Sequence, residues 1–92
     1  ADCNFEQAIS TSLLSSFSNQ GEICLCGSRI LVERSIYPRF VDEFVNRTRK
    51  LTVGDPLEEA TRIGALVSEG HMKKVLSYVE LARTEGGTVL AG

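Results

Sequence analysis

Cys24 is the residue of this chain best placed to act as a nucleophile. It follows a glycine-containing turn, Asn19-Gln20-Gly21, and precedes an apolar run. Glycine lets the backbone approach a ligand closely, and loops between a helix and a strand carry functional sites in α/β proteins. Composition alone favours a buried structural thiol, because free cysteines are among the most buried residues. Covalent thiol chemistry is therefore a hypothesis that the rest of the chain must support.

Charged residues flank this cysteine on both sides. Glu22 lies two residues before it, and a negative charge there disfavours the thiolate. We therefore assign Glu22 a structural role at the turn rather than that of a general base. Arg29 is the first positive charge after the cysteine. It either favours the thiolate or orients the loop, or it forms an ion pair at a strand end, and we prefer the ion pair.

His71 is the only histidine of the chain. Together with Cys24 it is compatible with a Cys-His hydrolase, but its position in the first turn of a predicted helix favours a capping or solvent contact. Cys24, Cys26 and His71 make a poor zinc set, because structural zinc sites take four ligands. We predict no metal site.

The composition narrows the class of protein. A net charge of −2 gives no reason to expect nucleic acid or an anionic membrane as a partner, and no apolar run is long enough to span a bilayer. The three cysteines, Cys3, Cys24 and Cys26, are an odd number and do not form a disulfide framework. They indicate reduced thiols and a cytoplasmic location.

The length and the two ends favour a piece of a larger enzyme. Ninety-two residues fit one small domain with a modest core. The sequence does not begin with methionine, and it stops shortly after a predicted strand start at residue 88. We therefore expect further polypeptide on both sides.

The hydrophobic pattern predicts an α/β layer architecture with a mostly parallel sheet. Helical periodicity covers residues 4–18, with Asn4 as the cap, and also residues 36–51 and 68–85. Continuous apolar residues predict a doubly buried strand over 28–34 and the start of another at 88–90. The Gly54-Asp55-Pro56 turn and a loop over 57–68 separate the last two helices. The predicted order is helix, strand, helix, helix, strand.

The spacing around the cysteine resembles the active-site signature of the aldehyde dehydrogenase superfamily. That signature is an aromatic residue, three variable residues, then Gly-(Gln/Glu)-x-Cys, and the matching positions here are Phe17, Gly21, Glu22 and Cys24. The similarity continues in Cys26-Gly27-Ser28, in the Ser-Arg-aliphatic run that follows, in Val53-Gly54-Asp55-Pro56 and in residues 63–79. It covers essentially all 92 residues. The residues around Cys24 look most like semialdehyde dehydrogenases acting on 2-aminomuconate- or hydroxymuconate-type substrates.

The resemblance implies a mechanism in which Cys24 is the catalytic residue. Its thiolate attacks an aldehyde carbon, hydride passes to NAD or NADP, and water hydrolyses the resulting thioester to a carboxylic acid. The resemblance also implies that the Cys24 amide donates to the oxyanion. The second oxyanion donor, the general-base Glu and the nucleotide-binding segment are expected upstream of residue 1, and a ribose-contacting Glu downstream.

The resemblance implies that residues 1–92 are part of the aldehyde dehydrogenase catalytic domain, with the nucleotide-binding domain outside them. The expected partners are a small aldehyde substrate and the rest of the parent chain, which is expected to form a homo-oligomer. The 92-residue piece alone is expected to be inactive, with no measurable NAD affinity. The alternatives are a non-catalytic folding or oligomerisation module of the same family and the Cys-His hydrolase.

Overall fold

Three α-helices form the framework of the chain in a computed structural model, which describes residues 2–92. They are α1 (Phe5–Phe17), α2 (Tyr37–Thr48) and α3 (Glu69–Thr84), and a 3-10 turn (Ser18–Gly21) directly continues α1. The helices predicted over 4–18, 36–51 and 68–85 are therefore confirmed, with ends that differ by one to three residues.

Local capping explains where the helices begin. The Asn4 Oδ1 accepts a hydrogen bond of 3.0 Å from the Gln7 amide at the start of α1, and the Ser68 Oγ accepts one of 3.2 Å from the His71 amide at the start of α3. Such side chains satisfy amides that have no partner within the helix. In α2, Pro38 stands in the first turn, where its missing N–H breaks no helical hydrogen bond.

Aromatic packing between α1 and α2 forms the core. Ile9 of α1 is completely buried, and Phe40 of α2 is only 6% exposed. Phe40 meets Phe5 edge to face at 6.3 Å between ring centroids, and it stacks on Phe44 at 5.9 Å. Phe17 then closes the row against Phe44 at 6.1 Å. Aromatic pairs at such distances add favourable electrostatics to the burial of apolar area.

A charged cluster joins the same two helices at their surface. The Arg47 guanidinium of α2 lies 2.5 Å from the carboxylate of Glu6 on α1 and 2.5 Å from that of Glu43 one turn earlier. Hydrogen bonds to Glu6 and then to Glu43 raise the pKa of Arg47. The hydrogen bond from Arg47 likewise holds the pKa of Glu43 below its ordinary value. The cluster therefore favours the charged form of both side chains.

The predicted strands over 28–34 and 88–90 are wrong for the part of the chain that the structure describes. Residues 2–92 contain no strand, and the isolated parallel bridge between Val53 and Ile63 is their one β-pairing. A parallel strand requires a neighbouring strand to receive its backbone hydrogen bonds, and these residues supply none. Instead Leu31 is 97% exposed, so the apolar run lies at the surface.

The segment between α2 and α3 is a loop, as the sequence predicted. It folds back at Gly54-Asp55-Pro56, where the Asp55 Oδ1 accepts a hydrogen bond of 2.9 Å from the Leu57 amide. The Gly54 amide donates to the Ile63 carbonyl at 3.0 Å, next to the Val53–Ile63 bridge. The chain then continues through Ala65 to Ser68, the residue that precedes α3.

The described chain leaves much apolar surface uncovered. Its accessible surface is 7358 Å², whereas a folded monomer of 10.1 kDa exposes roughly 5,300 Å². No residue of α3 is buried, and its apolar side chains Met72, Val75 and Leu76 are exposed. None of the helices in residues 2–92 is both long and apolar enough to cross a membrane.

Candidate functional site

Cys24 lies in an exposed tight turn between α1 and α2. The Cys26 amide donates to the Ile23 carbonyl at 3.0 Å, which makes Cys24 the second residue of a four-residue turn. The thiol is free, and the residue is exposed. The alternative of a buried structural thiol is therefore wrong in this structure. We call residues 19–28 the cysteine turn.

The backbone immediately before Cys24 has an unusual conformation. Asn19, Gln20 and Gly21 have φ angles of 50°, 60° and 78°, so three successive residues adopt left-handed geometry. For residues with a side chain this conformation costs about 1–2 kcal/mol each. Such strain persists only where surrounding contacts hold it, and it is concentrated at functional sites. Gly21 adopts the same geometry without that cost.

The end of the cysteine turn is fixed against α1. The Gly27 amide donates to the Ser15 carbonyl at 3.0 Å, and the Ser16 hydroxyl donates to the Gly27 carbonyl at 3.1 Å. A Cβ atom at Gly27 would lie 2.5 Å from the Ser15 Oγ, so a side chain there would require Ser15 to shift. The small serine side chains of α1 thus permit close packing of the turn against this helix.

The start of the cysteine turn is held from the other side by the segment that leads into α3. The Gln20 Nε2 donates to the Ala65 carbonyl at 3.1 Å. The Glu22 Oε1 lies 3.3 Å from the His71 Nε2, and the two side chains are 24% and 40% exposed, respectively. Glu22 therefore contacts a helix rather than the thiol, in keeping with the structural role predicted for it.

The Cys24 amide is available to a ligand. Within residues 2–92 the amides of Glu22, Cys26 and Gly27 donate hydrogen bonds, but that of Cys24 does not. Exposed residues, Ile23 and Leu25, flank it. An exposed thiol and an unpaired N–H thus belong to the same residue. If the sulfur attacks a carbonyl carbon, the N–H can donate to the oxygen that gains negative charge.

The other residues with potential chemistry are not brought to the thiol. His71 contacts Glu22, so the structure shows no Cys24–His71 dyad among the residues it describes. Arg29 is exposed and takes part in none of the ion pairs found within residues 2–92, so the strand-end ion pair is wrong there. Cys3 and Cys26 are free thiols. No cluster of three or more possible metal-ligating side chains occurs in the described chain.

Two features of this site had no clear signal in the sequence. Gly21 indicated a turn, but nothing marked Gln20 for a positive φ, since left-handed residues other than glycine are mainly Asn and Asp. The contact between Glu22 and His71 joins residues that are 49 positions apart, and periodicity describes only local structure.

Comparison with known proteins gives the same family over the whole chain. Residues 1–92 match the aldehyde dehydrogenase family. The chain is 53% identical over 91 residues to 2-aminomuconic semialdehyde dehydrogenase of Mus musculus, covering 99% of this chain and 19% of that protein. It is 50% identical over 91 residues to 4-trimethylaminobutyraldehyde dehydrogenase A of Danio rerio, covering 99% and 18%. The chain thus spans about a fifth of the length of these curated relatives.

Solved structures share the backbone of this segment. The betaine aldehyde dehydrogenase of Staphylococcus aureus, a double mutant in complex with NAD+ and with a BME-modified cysteine, superposes with a TM-score of 0.96 at 34% identity, covering 99% of this chain and 18% of that one. Glyceraldehyde-3-phosphate dehydrogenase of Methanocaldococcus jannaschii, complexed with NADP, gives 0.95 at 38% identity, covering 99% and 20%. These neighbours are α/β proteins, in agreement with the predicted fold class. Residues 2–92 themselves are helical and contain no strand.

Proposed function

Because the chain belongs to the aldehyde dehydrogenase family, we propose that its parent protein oxidises an aldehyde to a carboxylic acid with Cys24 as the nucleophile. The observation that carries this proposal is the combination at one exposed residue of a free thiol and an amide without a hydrogen-bond acceptor. In an inert buried cysteine, neither group is open to a substrate.

Sulfur chemistry accounts for both halves of the reaction. The Cys24 Sγ adds to the aldehyde carbon, and the carbonyl electron pair moves to oxygen, giving a thiohemiacetal. Loss of hydride from that carbon restores the C=O bond as a thioester. Water then adds to the thioester, and the carboxylic acid leaves as the thiol is regenerated. A thiolate is both a strong nucleophile and a good leaving group from an acyl carbon.

The Cys24 amide stabilises the oxygen that gains charge in these steps. Its N–H lies on the same residue as the attacking sulfur and has no acceptor within residues 2–92. A donor already oriented before the reaction costs no reorganisation when charge develops. The left-handed residues before Cys24 and the anchors at Ser15, Ala65 and His71 provide this orientation.

Among the described residues, only the Cys24 thiol would act next to a nicotinamide ring, because it would hold the substrate carbon that gives up the hydride. The exposed thiol leaves the substrate carbon open to a ring held by other parts of the polypeptide, and we assign no cofactor-binding residue within this chain. Bound NAD+ or NADP+ supplies the hydride acceptor. The related structures with NAD+ and with NADP support a nicotinamide cofactor of either kind.

We assign residues 1–92 to the catalytic domain of the parent protein. The nucleotide-binding domain, the general base and the second oxyanion donor lie outside them. This is in keeping with the 18–19% of the relatives' length that the chain covers. We expect the 92 residues alone to be inactive for that reason. The parent is proposed to act in the cytoplasm as a homo-oligomer, on a semialdehyde of the 2-aminomuconate type, which the relative that is 53% identical favours.

Replacing the cysteine tests the proposal. In the full-length parent protein, Cys24→Ala should lower kcat for aldehyde oxidation at least about 1000-fold, since a lost nucleophile is not replaced by its neighbours. NAD+ affinity should stay unchanged. Cys26→Ala is the matched control, because it removes a thiol two residues away and should leave most of the activity. Undiminished oxidation by Cys24→Ala would reject the assignment.

A second candidate is a non-catalytic folding or oligomerisation module, and the uncovered apolar side chains of α3 favour it. Exposed apolar patches commonly mark interaction surfaces. In that case Cys24→Ala would leave the oxidation of aldehydes unchanged, whereas polar substitution of Val75 or Leu76 would change the assembly state measured by light scattering.

A further inference from the structure

We propose that Glu22 and His71 are a pair of positioning residues that holds Cys24 in its reactive orientation. The inference rests on the proposed role of Cys24 as the nucleophile and adds to it a contact with His71, which lies 49 positions after Glu22. The contact joins the Glu22 Oε1 to the His71 Nε2 at 3.3 Å. It links the cysteine turn to the first turn of α3.

Glu22 is close enough to Cys24 along the chain to control where the thiol points. It directly precedes Ile23, the first residue of the turn that carries Cys24. Only two planar peptide units separate the two Cα atoms, so rotation of the backbone at Glu22 moves both the thiol and the amide of Cys24. An anchor at Glu22 therefore fixes the two groups that the reaction uses.

The backbone before Glu22 requires an external anchor. Asn19 and Gln20 are left-handed residues with a side chain, at φ angles of 50° and 60°. The Glu22 amide donates to the Asn19 carbonyl at 2.9 Å, but this bond lies within the turn and does not fix it to the rest of the molecule. The contacts that do so at this end are Gln20 with Ala65 and Glu22 with His71.

His71 is well placed to serve as the fixed member of the pair. Its amide donates to the Ser68 Oγ at 3.2 Å, so its backbone belongs to the capped first turn of α3. Functional groups are held most accurately by side chains that project from regular elements. The side chains of His71 and Glu22 are 40% and 24% exposed, and partly exposed polar contacts contribute little to overall stability. Removing the pair should therefore alter the cysteine turn without unfolding the protein.

The test uses the full-length parent protein and a double-mutant cycle of Glu22→Ala, His71→Ala and both together. The measurements are kcat and KM for aldehyde oxidation and the rate of Cys24 alkylation by iodoacetamide, a probe that needs no cofactor. Glu80→Ala is the matched control, because Glu80 pairs with Arg83 at 3.0 Å in the same helix and does not contact the cysteine turn.

Each single variant should lower kcat and the alkylation rate about tenfold, within the range caused by misplacing a reacting group. KM should change less than about twofold. The double variant should be no slower than either single one, because both substitutions remove the same contact. Glu22→Gln keeps a side-chain oxygen at the same reach and should retain more than half of the wild-type kcat.

Three results would overturn the inference while leaving the role of Cys24 intact. The first is a Glu22→Ala variant with the kcat and the alkylation rate of the wild type. The second is a double variant in which the effects of the two substitutions multiply. The third is an equal loss of kcat in Glu22→Gln and Glu22→Ala. Failure of the proposed function is recognised separately, because Cys24→Ala would then retain full activity.

Discussion

The α1–α2 pair and the cysteine turn are neighbouring regions held by different forces. The helix pair buries Ile9 and Phe40 completely or almost completely, and a row of aromatic rings joins its two elements. The cysteine turn has no buried residue in its described conformation. Single hydrogen bonds at Ser15 and Ala65 and the side-chain contact of Glu22 with His71 hold it.

This difference separates stability from reactivity within one short chain. Apolar burial supplies most of the free energy of folding, so the helix pair can support strain elsewhere. The cysteine turn contains strained left-handed residues, and its thiol is exposed. Substitutions in the helix pair should therefore change stability first, and substitutions in the turn should change the reactivity of Cys24 first.

The largest stability effect is expected in the helix pair. Ile9→Ala in the parent protein should lower the free energy of unfolding by about 3 kcal/mol, because it removes completely buried methyl groups and leaves a cavity. Ile9→Val is the graded control and should cost about 1 kcal/mol. Urea unfolding measures both values. Equal and small effects for the two variants would show that this helix interface does not carry the stability.

A smaller effect is expected from a glycine substitution in the turn. Gly21→Ala places a side chain at φ 78° without a clash, since the new Cβ would lie 3.5 Å from the Ser16 carbonyl oxygen. The strain should cost about 1–2 kcal/mol. Part of it is expected to be relieved by rotation of the turn, so the rate of Cys24 alkylation should fall several-fold.

Gly86→Ala is the matched control for this variant. Gly86 has a φ of 90° with open space around it, directly after α3 and outside the cysteine turn. A similar loss of stability is expected, with the alkylation rate unchanged. If both variants slowed alkylation equally, the conformation of the turn would not be what sets the reactivity of Cys24.

The sequence predicted the helical part of this structure well, because helices depend on nearby residues. The period of apolar positions was sufficient for the three helices, and the predicted capping side chain Asn4 marks the start of α1. The proposal of Cys24 as the nucleophile likewise rests on local spacing.

The features that the sequence did not predict depend on distant parts of the chain. The run over 28–34 has strand composition, but a strand exists only where another one pairs with it, and residues 2–92 provide no such neighbour. The contact of Glu22 with His71 depends on how the loop over 53–63 brings the start of α3 next to the cysteine turn. Neither propensity nor periodicity describes such returns.

The smallest effect is expected from the charged cluster that joins the two helices. The hydrogen bond from Arg47 lowers the pKa of Glu43 from its ordinary value of 4.5. A carboxyl group with a lowered pKa in the folded state stabilises the fold above its unfolded-state pKa, and this contribution is lost as the pH falls through the folded-state pKa. Glu43→Gln should therefore lower the melting temperature slightly at neutral pH, and the difference from the wild type should disappear in acid below pH 4.5.

Salt provides the control that separates this charge effect from a packing effect. The interaction lies at the surface, so increasing the ionic strength screens it and should reduce the difference between wild type and Glu43→Gln at neutral pH. A difference that stayed constant in acid and in salt would mean that it does not come from the negative charge of Glu43, since glutamine keeps the same methylene groups. The aromatic row and the contact of Arg47 with Glu6 would then remain as the links between α1 and α2, and the contrast with the cysteine turn, which has no such row, would become sharper.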